Sequence, residues 1–143
     1  MKPINNFYLK IPSRSANESF ARVAVSAFVS QLDPTLEELS DIKTAVSEAV
    51  TNSIVHAYKN EIGNIYITAE IYENRSIKIR IRDSGCGIDD VNKALQPLFT
   101  TVGGERSGLG FSVMQSFMDY LKVTSKSGKG TTVIMKKVLS LKI

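Results

Sequence analysis

Apolar residues along this 143-residue chain recur with two distinct periods. Residues 4–11 read as a short edge strand. Ser15 followed by Glu18 makes an S-x-x-E capping box, which predicts a helix through about Leu32 with Phe20, Val23, Ala24, Ala27 and Phe28 on its apolar face. Asp33-Pro34 breaks that helix. Thr35 with Glu38 then opens a long helix to about Tyr58, whose buried stripe reads Leu39, Ile42, Val46, Ala49 and Val50. Beyond it Ile65, Ile67, Ala69 and Ile71 alternate with Tyr66, Thr68, Glu70 and Tyr72, and Ile77, Ile79 and Ile81 alternate with Lys78, Arg80 and Arg82. A period of two with one apolar face predicts paired strands, turning at Glu73-Asn74-Arg75-Ser76.

From Asp83 to Gly110 no clear periodicity survives, over a stretch too long for an ordinary connection in so small a domain. It reads as a ligand-covering lid at about 88–107 with one short helical piece. A helix over about 109–118, and strands near 120–125 and 131–138 joined by Ser127-Gly128-Lys129-Gly130, complete the chain. This order packs most simply as one mostly antiparallel, mixed sheet with helices on one face: an α/β (α+β) two-layer sandwich, in a single domain spanning 1–143.

Composition narrows the chemistry. An apolar content of 43% suffices for a core. One cysteine, Cys86, and one histidine, His56, exclude an internal disulfide and a multi-cysteine or histidine-rich metal site, and a reducing cytoplasm is the natural setting. No apolar run is long enough to span a membrane, and the N-terminus lacks a signal segment, so a soluble cytoplasmic protein without membrane contact is expected. The net charge of +4 is spread along the chain, with a modest excess of cations in the last third. Polyphosphate ligands or acidic protein surfaces fit this better than DNA, and no direct nucleic-acid partner is expected.

Three clusters carry candidate chemistry. Glu48, Asn52 and His56 recur every four residues, so they project from one helix face, which also holds the small Ala45 and Ala49. An amide oxygen is a hard ligand for Mg²⁺, and a carboxylate one turn away can deprotonate a hydroxyl. Standing alone, such a pair is more often a solvated face. Directly after a strand comes Asp83-Ser84-Gly85-Cys86-Gly87, where glycines permit a sharp turn close to a ligand. An ionised Asp83 only accepts hydrogen bonds, so it suits the amino group of adenine and repels the carbonyl of guanine. Without other signals, it would be a strand-ending turn. The run from Gly103 to Gly110 leads into a helix, where free N–H groups can meet phosphate and Arg106 can reach the terminal phosphoryl group. A capped flexible loop is the plain alternative. It is not a Walker loop, since the G-x-x-x-x-G-K-[ST] pattern is absent.

In combination and in this order, Glu-x-x-x-Asn, D-x-G-x-G, lid and G-x-G resemble the GHKL ATPase/kinase superfamily. EAVTN at 48–52 looks like its N motif, DSGCG at 83–87 its first glycine motif, and GLG at 108–110 its second. NESFARV at 17–23, QLDPT at 31–35, SEAVTN at 47–52, QPLFTT at 96–101 and ERSGLGF at 105–111 are similar to anti-sigma factor serine kinases of the sporulation type, and the likeness covers nearly the whole chain. It implies a GHKL (Bergerat) fold that binds ATP or ADP with Mg²⁺. Glu48 would be the general base and Asn52 the Mg²⁺ ligand. Asp83 would bind adenine, with Gly85 and Gly87 giving backbone room. Arg106, Gly108 and Gly110 would meet the phosphates, with Thr100, Thr101, Ser107 and Leu109 as further nucleotide contacts. Thr131 would lie near the adenine, or serve as an ordinary strand residue. The implied partners are a sigma factor of the sigma F type, held inactive with Arg22 as a contact, and an anti-anti-sigma factor phosphorylated on serine, in a homodimeric kinase. Two departures stand out: Ala57 replaces an expected glycine, and the lid at 101–105 is a residue shorter than in relatives and lacks their proline. Rival readings are a stress-response anti-sigma kinase, a sigma-binding module without phosphotransfer, and the catalytic fragment of a two-component histidine kinase, against which the lack of a phosphoacceptor-histidine helix pair speaks. Glu48, Asn52 and Asp83 are expected to confront one cavity.

Overall fold

The computed structural model describes residues 1–95 and 110–141. Five strands form one sheet: β1 (Asn5–Pro12), β2 (Asn64–Ile71), β3 (Ser76–Asp83), β4 (Tyr120–Lys126) and β5 (Gly130–Val138), in the spatial order β1-β2-β3-β5-β4. Every pairing is antiparallel. The helices are α1 (Ala16–Val29), α2 (Leu36–Asn52), the single turn α3 (Val91–Ala94) and α4 (Phe111–Phe117). The expected α+β layering is therefore realised, and α3 supplies the short helical piece anticipated after Asp83.

The alternation read in the sequence becomes the layering of the fold. Ile65, Ile67 and Ile71 of β2 and Ile77, Ile79 and Ile81 of β3 are all buried on one face, with Val133 and Met135 of β5 beside them. Above them lie Ile42, Val46 and Val50 of α2, Val25 and Val29 of α1, and Phe111 and Met114 of α4, in one continuous core. Burying each such side chain stabilises the fold by about 1.5–3 kcal/mol.

The two capping boxes part company. Thr35 has extended backbone (φ −67°, ψ 162°); its hydroxyl accepts from Glu38 N, and the Glu38 carboxylate accepts in return from Thr35 N. Ser15 makes no side-chain cap because it is already helical (φ −57°, ψ −33°), and Glu18 instead pairs with Arg22 at 3.0 Å. The apolar face expected for α1 is also corrected. Ala21, Val25 and Val29 face the core, whereas Phe20 and Val23 are 51% and 56% exposed. α1 is apolar on both sides, so the pattern alone could not choose the inner one. Its last turn, Ser30–Leu32, tightens to a 3₁₀ helix, and α2 ends in a π-turn over Ser53–Ala57.

Candidate functional site

α2 and its π-turn cross over the ends of β3 and β5, and between them lies a cavity of about 230 Å³. The π-turn directly follows Asn52, the last α-helical residue. A wider turn of this kind displaces the helix surface and is often found at functional sites. Asn52, Ser53 and His56 line the cavity from the helix side, Asp83, Gly87 and Thr131 from the strand side, and Phe111, Ile81, Ile88 and Val133 supply apolar wall.

Asp83 ends β3 and is only 6% exposed. Its carboxylate accepts three hydrogen bonds: Oδ2 from Ser53 Oγ at 2.9 Å, and Oδ1 from Gly85 N at 3.0 Å and Thr131 N at 3.2 Å. A carboxylate offers about four acceptor positions, so Oδ2 keeps one for a ligand in the cavity. A second group fixes the same wall. Ser125 Oγ accepts from Ile88 N at 2.8 Å, donates to Gly130 O at 2.9 Å and lies 2.8 Å from Thr131 Oγ1. Ser125 has one proton to share between Gly130 O and Thr131 Oγ1, and Thr131 lines the cavity beside Asp83.

The loop after Asp83 holds its shape through backbone contacts. Cys86 N donates to Ala57 O at 2.9 Å and Gly128 N to Cys86 O at 2.6 Å. Gly87 has a left-handed backbone (φ 76°), and a Cβ there would collide with the carbonyl of Lys126. Tyr58, buried behind the π-turn, donates to Asn64 O at 2.7 Å and accepts from Ser84 N at 2.7 Å. Burial pushes its hydroxyl pKa up, against the opposing pull of the Ser84 N–H. The exposed Cys86 sits on the cavity rim, with Sγ 3.2 Å from His56 O.

Glu48 lies one turn before Asn52 on α2 and lines a groove of about 340 Å³ between α1 and α2, with Glu18, Arg22, Lys43, Thr44 and Ser47. Its side chain packs against Gly110, whose left-handed φ of 71° and lack of Cβ let the start of α4 come this close. So Asn52, Asp83, Gly87 and Thr131 converge on the cavity, while Glu48 and Arg22 share the groove. Thr100, Thr101, Arg106, Ser107, Gly108 and Leu109, and most of the expected lid, lie outside the described residues. Ala45 of the ligand-facing helix surface is fully buried in the core and does not line the cavity.

Sequence reasoning missed Ser53 and Ser125. Ser53 carried a signal: it follows Ile42, Val46 and Ala49 on the inner stripe of α2, and a polar side chain entering a core needs a partner. Ser125 carried none, since a serine in an edge strand looks solvated.

An antiparallel sheet roofed by helices thus sets a buried carboxylate at one strand end against a helical amide across the cavity. Residues 11–137 match the family described as histidine kinase-like ATPase domain. The chain belongs to that family. It is 60% identical over 136 residues to the anti-sigma F factor of Caldanaerobacter subterraneus subsp. tengcongensis, with 94% of each chain covered. It is 54% identical to the anti-sigma F factor of Clostridium acetobutylicum, with 96% of each covered, and 53% identical to that of Geobacillus kaustophilus, with 93% of this chain and 92% of the relative covered. Among solved structures, the RsbU and RsbW domains of a Mycobacterium tuberculosis protein share the fold with a TM-score of 0.69 at 15% identity, over 96% of this chain and 32% of that one. The histidine kinase domain of a blue-light activated kinase from Erythrobacter litoralis does so with a TM-score of 0.56 at 19% identity, over 90% of this chain and 62% of that one. The chain thus spans just under one third and just under two thirds of these two longer structures.

Proposed function

We propose that this protein binds ATP, holds a sporulation-type sigma factor inactive and phosphorylates a serine of an anti-anti-sigma protein. The observation that carries the nucleotide reading is Asp83: a buried carboxylate oriented by three donors, with acceptor capacity left at Oδ2. An acceptor that cannot donate selects the amino edge of adenine over the carbonyl edge of guanine. At about 230 Å³ the cavity is below the roughly 300 Å³ at which pockets for drug-sized ligands begin, so it suits the base, with the triphosphate running out past Asn52 towards Gly110 and Glu48. The sigma-factor partner is supported by the anti-sigma F factors to which the chain is 53–60% identical over nearly its full length.

Mg²⁺ keeps several waters and takes one or two protein oxygens plus phosphates, so a single amide oxygen on the cavity wall suits it. Asn52 would hold it, and when bound it neutralises charge on the phosphates. Glu48, in its groove, takes the proton of the incoming serine hydroxyl while that oxygen bonds to the γ-phosphorus and ADP leaves. The polar groove between α1 and α2, with Arg22, Lys43, Thr44 and Ser47, is where the partner would deliver its serine. Arg106 would offset charge at the γ-phosphoryl group. The kinase would act as a homodimer, in a single domain.

Incubation with radiolabelled ATP, Mg²⁺ and an anti-anti-sigma protein tests this. Label should appear on a serine of that protein. Label on His56 instead would support the histidine-kinase rival, and tight ATP binding with no label anywhere would leave only a nucleotide-gated sigma-binding module.

A further inference from the structure

The cations that look scattered along the chain are gathered by the sheet. Alternate residues of each strand face away from the helices, and the register sets them in rows. One row runs Lys10, Tyr66, Arg82, Thr132, Thr124. The next runs Tyr8, Thr68, Arg80, Ile134, Lys122, and the third Asn6, Glu70, Lys78, Lys136, Tyr120. These rows hold six lysines and arginines against a single acid, Glu70, whose carboxylate already accepts from Tyr72 Oη at 3.1 Å. Among the described residues none of the six is in an ion pair. The net charge of the chain is +4, so this one face carries more positive charge than the whole.

Aromatic rings lie among the cations. Tyr8, 63% exposed, stacks with Tyr66 at 6.4 Å between centroids and 26° between planes. The Arg82 guanidinium lies 4.1 Å from the centroid of Tyr66, and Lys136 Nζ 4.7 Å from that of Tyr120. Protein interfaces deplete lysine, which supplies four of these six cations, whereas nucleic-acid interfaces are strongly positive and use exposed aromatic rings on open sheets to stack bases. We infer that the open face of this sheet binds single-stranded nucleic acid, with the cations on phosphates and Tyr8 as a stacking platform. Such binding tolerates many sequences, because every base has a π-face and the phosphates are uniform. The surface lies across the sheet from the nucleotide cavity and does not depend on how that cavity is used.

Fluorescence anisotropy of the full chain with a labelled oligo(U) or oligo(dT) strand tests this. Log affinity against log salt should fall with a slope approaching about −4 if all six cations contact phosphates. The double variant Arg80→Gln/Lys122→Gln should flatten that slope by about 1.4. The off-face pair Arg14→Gln/Lys43→Gln, which removes the same charge, should leave it unchanged. Tyr8→Ala should weaken single-strand binding about fivefold or more and duplex binding much less. Circular dichroism melts confirm that each variant folds. No binding at low salt, equal flattening by the off-face pair, or tighter binding to polyglutamate or to phosphatidylserine vesicles than to the oligonucleotide would each overturn the inference.

Discussion

The cavity around Asp83 and the groove around Glu48 are two ends of one helix face, built to opposite plans. At the cavity end the Asp83 carboxylate is buried and held by Ser53, Gly85 and Thr131. At the groove end Glu48 is half-buried among polar side chains that open to solvent, with Gly110 against it. A base-recognition group gains from fixed geometry, since a misplaced acceptor loses its selectivity. A proton acceptor for a hydroxyl carried by another protein must remain reachable from outside. Damage at the two ends should therefore separate binding from chemistry.

The largest effect is expected at Glu48. Glu48→Gln should lower phosphotransfer about 10²–10⁴-fold, the usual share of a general base, while ATP affinity measured by calorimetry stays within about threefold. Parallel loss of both would erase the distinction between the two ends.

Asp83 should behave in the reverse sense. Asp83→Ala leaves Ser53 Oγ, Gly85 N and Thr131 N without their acceptor, which should cost about 1–3 kcal/mol of stability in denaturant titrations along with most nucleotide affinity. Asp83→Asn can keep an oxygen towards the two backbone N–H groups and turn its amide to Ser53. It should therefore cost at most about 1 kcal/mol in stability, yet lower ATP affinity about tenfold or more, because a donor now faces the amino group of the base. A variant that binds ATP as tightly as the parent would remove adenine recognition from Asp83. Ser53→Ala is milder: one of three donors goes, and about 1 kcal/mol of stability and a few-fold in ATP affinity should go with it.

How legible these regions were in the sequence differs for physical reasons. The strands were readable because one face is buried and one solvated, so Ile65, Ile67, Ile77 and Ile79 could point only one way. Asn52 and Asp83 were readable because spacing on a helix and the end of a strand fix where they project. The inner face of α1 was not, because Phe20 and Val23 offer as much apolar surface as Val25 and Val29. The groove that Glu48 lines was hidden as well. It depends on α4 and α1 packing around α2, contacts made between residues far apart in sequence. Nor did the order of residues announce the π-turn, which differs from an α-helix only in which carbonyl each N–H reaches.

The two S/T-x-x-E sequences supply the smallest test and a control lying on neither end of the site. Thr35→Ala should cost about 1 kcal/mol of stability, since the hydroxyl accepts from Glu38 N at 3.1 Å. Ser15→Ala should cost almost nothing, because that hydroxyl makes no side-chain cap. The Glu38 pKa adds a pH signature. Burial alone would raise it, but hydrogen bonds from Thr35 N and Ser140 N outweigh burial and hold it below its ordinary 4.5. A carboxylate lowered on folding stabilises the protein above its unfolded pKa, and that stabilisation is lost as pH falls through the folded value. Stability measured on acidification below about pH 4.5 should therefore fall more steeply in the parent than in Glu38→Gln, where the group no longer titrates. Identical acid profiles for the two would mean that the α2 cap holds without its charge.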